Sequence, residues 1–132
     1  MQDVITLSIP LAAAAGDDTS IYALKAPSAA LGGGLRILDA YAVDDAATTS
    51  GTSWAVALHK YSSAGTPAVN GTIAAAVGGT ADPFAAGVPK QFTISDTYGF
   101  LDAGEWLVIE KTEDNSSDPT VGVVVVHYVR GK

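Results

Sequence analysis

The sequence contains no cysteine, so neither disulfides nor thiolate ligands can hold the fold, and nothing follows about a redox compartment. Its 132 residues are enough to bury a core without such staples. Basic residues are scarce: seven Lys and Arg against 14 Asp and Glu give a net charge of −7. They are also scattered (Lys25, Arg36, Lys60, Lys90, Lys111, Arg130, Lys132), leaving no positive stripe to neutralise phosphates, which predicts no nucleic-acid partner. Long apolar runs are missing too. No stretch approaches the roughly 18 residues of a membrane-spanning helix, which predicts no membrane span. The segment from Val4 to Ala15 has the small residues of a secretion signal. It opens on Met1-Gln2-Asp3 instead of positive charge, and Thr6 and Ser8 break it into strand-like alternation. Aromatic residues are few, at 8%, and Ala, Gly, Ser and Thr abundant, a composition that suits an assembly component or an exterior protein.

What is present is β-strand pattern. Period-two runs rich in β-branched and aromatic residues, separated by Gly, Pro, Asp, Asn and Ser, recur about eight times. They span Val4–Pro10, Ser20–Lys25, Leu35–Val43, Ser53–Tyr61, Gly71–Val77, Lys90–Ser95, Glu105–Thr112 and Val121–Arg130. With no repeat and no linker, this predicts one all-β domain over 1–132, an antiparallel two-sheet sandwich, with 1–10 as a first strand or an N-terminal arm. Leu35, Ile37, Tyr41 and Val43 are expected on one face of the third strand, and Trp54, Val56 and Leu58 on one face of the fourth. Val123-Val124-Val125-Val126 is apolar on both faces, so the last strand is either central and covered twice or lies against another subunit. The stretch from Gly78 to Pro89 is too long for a hairpin and reads as a crossover between sheets or a functional loop. One helical turn is expected within Ala26–Leu31, ended by Gly32-Gly33-Gly34.

Chemistry-bearing motifs are sparse. The two histidines, His59 and His127, fall inside strands; without cysteine or a spaced His pair they predict no zinc site and read as surface histidines. No Gly-x-Ser-x-Gly elbow occurs, and the glycine triplet leads into a strand, lacking the Lys-Ser/Thr of a phosphate loop. Asp17-Asp18 and Asp44-Asp45 read as turn formers, because adjacent side chains diverge. Residues 113–118 offer hard oxygens for calcium but not the spacing or central glycine of an EF-hand loop. Trp54 and Trp106 each begin a hydrophobic strand and read as core anchors, with a sugar-stacking platform as the alternative. The expectation is a protein without enzymatic activity, cofactor or resident metal.

The C-terminal third is the most telling. Phe100-Leu101-Asp102-Ala103-Gly104-Glu105-Trp106-Leu107-Val108-Ile109-Glu110, an acidic loop, then the run from Val121 to Gly131, resembles the closing hairpin of small virion proteins from tailed bacteriophages. The segments Ile5–Pro10, Thr19–Pro27 and Leu35–Ala40 are similar in style. The resemblance is to capsid decoration (cement) proteins. It implies a jelly-roll-like fold, a homo-oligomer such as a trimer, and attachment to the major capsid protein on the outside of a shell made in a bacterial host's cytoplasm. It implies partner contacts at the N-terminal segment (Val4, Ile5, Leu7, Ile9) and on the last strand (Val123, Val125). The alternative is a carbohydrate-binding sandwich module on a virion or cell exterior.

Overall fold

The computed structural model describes residues 3–11, 19–48, 54–113 and 122–131. Nine strands are formed among them: β1 (Ile5–Leu11), β2 (Thr19–Lys25), β3 (Leu35–Asp44), β4 (Trp54–Tyr61), β5 (Pro67–Gly78), β6 (Lys90–Gln91), β7 (Phe100–Leu101), β8 (Trp106–Glu113) and β9 (Gly122–Arg130). A single 3₁₀ turn, Ala29–Leu31, closes on Gly32, whose φ of 106° suits a residue without Cβ.

One sheet runs β1-β9-β3-β6, with β7 also on β3; the other runs β2-β8-β4-β5. All pairings are antiparallel. β6 pairs with β3 at Tyr41 and Ala42, and β7 pairs with it at Leu35 and Arg36. The two are therefore one interrupted strand, and each sheet has four columns. Apart from the β4–β5 hairpin and the β6–β7 excursion, every connection crosses from one sheet to the other. That winding is the jelly roll, two sheets of four strands built from Greek-key connections. The expected all-β sandwich is thus the fold observed.

Two stretches depart from simple alternation. The register of β3 on β9 shifts between Ile37 and Asp39, so a bulge at Leu38 moves the inward face from odd to even residues. Leu35, Ile37, Ala40, Ala42 and Asp44 are buried, while Tyr41 and Val43 turn outward and are half-buried, not on the face of Leu35 as the pattern predicts. The segment Lys90–Ser95, expected as one strand, leaves the ladder after Gln91. Ser95 bonds Ile73 of the other sheet through its N–H (2.8 Å), and its Oγ accepts the N–H groups of Thr97 and Tyr98 (3.2 and 3.0 Å). These bonds build a turn that returns the chain to β3 at Phe100.

The core lies between the sheets and includes Trp54, Val56, Leu58, Ile73, Leu101, Leu107, Ile109, Val124 and Val126. The crossover 79–89 also contributes: Phe84 is 2% exposed and stacks on Trp54, with ring centroids 4.2 Å apart and planes at 15°. Gly78 makes that stack possible, since at φ 84° a Cβ there would lie 2.5 Å from the Phe84 ring and 2.6 Å from the Trp54 carbonyl oxygen.

Candidate functional site

The two histidines lie on different sheets, each beside one carboxylate. His59 Nε2 lies 3.2 Å from Glu110 on one sheet, and His127 Nδ1 lies 2.5 Å from Asp39 on the other. Among the described residues no group of three or more His, Asp or Glu could hold a metal ion. Asp44 and Asp45 diverge: Asp44 is fully buried and accepts from Trp54 Nε1 (2.8 Å) and the Ala46 N–H (3.2 Å), whereas Asp45 is exposed. Lys111 is paired with Glu113 inside the sandwich, both side chains almost wholly buried. Asp17-Asp18 and all of the acidic loop past Glu113 lie outside the described residues.

The outer face of the five-stranded sheet carries an apolar stripe. β9 lies between β1 and β3, with Val124 and Val126 in the core and Val123 and Val125 half-buried outside. Val123 stands opposite Pro10 and Val43; Val125 stands opposite Ser8 and Tyr41. His127 and Asp39 end the stripe with their polar pair. A solvated antiparallel face ordinarily alternates to polar residues; here four half-buried apolar side chains, Tyr41, Val43, Val123 and Val125, sit together.

The N-terminal residues are placed differently from an extended arm. β1 pairs with β9 from Ile5 to Leu11, so it is an edge strand of its own sheet. Alternation turns Ile9 into the core, 6% exposed, and leaves Ile5 and Leu7 half-buried; Val4 is 56% exposed just before the strand. Among the described residues no strand occupies the other edge of β1.

The outer face of the four-stranded sheet holds an aromatic and acidic cluster. Neighbours across β2, β8 and β4 form rows: Ser20, Glu110 and Ala57; Tyr22, Val108 and His59; Lys25, Trp106 and Tyr61. Tyr22 meets Tyr61 and Trp106 edge to face, with centroids 5.5 and 5.4 Å apart, and its hydroxyl donates to the Gly65 carbonyl (2.8 Å). Lys25 Nζ lies 5.1 Å over the Trp106 ring. Val108, though on this outer side, has no exposure, so the rings form a small second core. Trp54 is thus the core anchor expected, while Trp106 is half-buried on an outer face.

The Tyr61 hydroxyl donates to Glu110 Oε1 at 2.5 Å. That bond, and then burial, hold its phenol above the ordinary value, which is about 10. The folded state therefore favours the proton. The resulting stabilisation is complete below pH ~10 and lost as pH rises through the higher folded value. In an alkaline absorbance titration, the difference between wild type and Tyr61→Phe should be a step above pH ~10. Glu110→Ala should move that step down, and an unmoved step would show that Glu110 is not its cause.

A third feature is a shallow recess of about 190 Å³ at the β3 bulge, where Arg36, Leu38, Ser95, Asp96 and Phe100 meet. Its charged groups are exposed and nothing aims them at a common point.

No family model and no curated protein sequence matches this chain. A solved structure described as "Structure of infectious bursal disease virus Gx strain" is similar over 99% of this chain and 35% of its own, at 14% sequence identity and a TM-score of 0.38.

Proposed function

We propose that this protein is a non-enzymatic structural component of a virus particle, a decoration protein that seats on the outside of a tailed-phage capsid and reinforces it. The observation that carries this reading is the stripe of Tyr41, Val43, Val123 and Val125 on the outer face of the jelly roll. Jelly rolls serve in viral shells and also in lectins and cupins, so the assignment rests on the surface, not on the fold alone. The stripe is the contact between copies of the chain in a trimer. The edge of β1, unpaired among the described residues, offers main-chain N–H and C=O groups for a strand of the major capsid protein to pair with, a mode that asks little of side chains. Three copies joined this way attach together, so modest contacts sum through effective concentration. The protein is made in the bacterial cytoplasm and resides on the virion.

Co-sedimentation with expanded, undecorated capsids of the source virus tests this reading. Saturable binding is expected, together with a raised temperature of shell disruption, because a ligand that binds only the intact shell stabilises it by mass action. Capsids that neither bind the protein nor gain heat resistance would overturn it.

A further inference from the structure

We infer that the outer face of the four-stranded sheet binds a neutral oligosaccharide, with Trp106 and Tyr22 as stacking rings and Glu110 and His59 as polar contacts. This surface lies on the opposite side of the sandwich from the Val123–Val125 stripe, so it is independent of the assembly role.

Three observations converge on it. First, Tyr22 is 45% exposed yet fixed, by its hydroxyl on Gly65 and by edge-to-face contacts to Tyr61 and Trp106. Rings held this way present contact area at little further cost in side-chain entropy. Second, the polar groups beside them keep unused capacity. Among the described residues each Glu110 oxygen has one partner, Tyr61 or His59, and the carboxylate side chain is 32% exposed. A carboxylate oxygen accepts two hydrogen bonds. His59 spends Nε2 on Glu110 and its side chain is 28% exposed, which leaves Nδ1 for a ligand. Third, small side chains stand beside the polar groups on the same face, Ala57 opposite Glu110 and Thr72 opposite His59, leaving room there for a flat ring.

A sugar ring needs that combination: an aromatic surface for its C–H face and mixed donors and acceptors for its hydroxyls. Other stacking ligands fit less well. Bases of a single strand would need a basic track for their phosphates, and here, among the described residues, the rings carry one lysine, Lys25 over Trp106, on a chain of net charge −7. The same charge disfavours acidic glycans.

The test titrates the purified protein with cellohexaose, maltohexaose, mannohexaose and chitohexaose, with polygalacturonate as the anionic control. The readouts are tryptophan fluorescence and retardation in gels containing the parent polysaccharides. At least one neutral glycan should give a saturable response and polygalacturonate none. Trp106→Phe should silence the fluorescence change, since Trp54 is buried, while gel retardation persists. Tyr22→Ala and Glu110→Gln should each weaken binding about tenfold or more. No saturable response to any of the four, or binding indifferent to both substitutions, overturns the inference. So does loss of oligomer or capsid binding in these variants without glycan binding, which would assign the face to assembly.

Discussion

Trp54→Ala is expected to remove about 3–5 kcal/mol of stability, the range for truncating a large buried aromatic, and to leave the protein at or near the edge of folding. Domains of this size have total stabilities of about 5–15 kcal/mol. Three losses combine at this site. The Trp54 side chain has no exposure, so the substitution opens a cavity between the sheets. The Phe84 ring loses its stacking partner at 4.2 Å, and Phe84 is what pins the long crossover. Its N–H donates to Thr48 Oγ1 (2.8 Å) and its carbonyl accepts from the Thr48 N–H (2.9 Å). Finally, the buried Asp44 carboxylate loses its donor from Trp54 Nε1. Trp54→Phe narrows these effects: it keeps a ring in the stack and removes the donor and part of the buried volume, at a cost of about 1–3 kcal/mol. Urea unfolding followed by far-ultraviolet circular dichroism measures both. A Trp54→Ala loss below about 1.5 kcal/mol would place this stack at the periphery of the core's energetics.

These same residues mark the limit of what the sequence discloses. Trp54, Val56 and Leu58 are legible as one buried face because period-two alternation in a strand is local physics. Phe84 is not, since it sits among alanine, glycine and proline with no period, and its burial depends on Trp54 and Gly78 approaching from two other segments. Asp44 reads as a turn former beside Asp45; it is buried because an indole N–H from the next strand needs an acceptor. The bulge at Leu38 carries no Gly or Pro to announce it. It exists only in the register of β3 against β9, and it decides that Tyr41 and Val43 face outward beside Val123 and Val125. The Tyr22, His59, Tyr61, Trp106 and Glu110 cluster is hidden for the same reason. Each residue is an ordinary outward position on its own strand, and only the pairing of β2, β8 and β4 brings them together.

The proposed assembly role makes its sharpest demand on Val125. In the isolated sandwich this side chain is half-buried on the outer face, opposite Ser8 and Tyr41, with no acidic residue directly across from it. Val125→Asp there costs the monomer about 1 kcal/mol, the span of β propensity on a sheet surface, and the domain stays folded. At a subunit contact the outcome differs, because the carboxylate would be taken out of water without a partner. The nearest complementary group on this face, His127, is already engaged with Asp39. An unpaired buried charge costs at least about 3 kcal/mol per contact, more than a hundredfold in dissociation constant, and symmetry repeats the substitution in every contact of a closed oligomer. Sedimentation velocity should therefore show Val125→Asp as a folded monomer at concentrations where the wild type is a trimer, with Val125→Thr between the two. A wild type that is itself monomeric, or an aspartate variant that still assembles, removes this stripe as the subunit contact. Capsid binding would then have to be carried by the edge of β1 on single copies, without the gain in effective concentration that three linked copies provide.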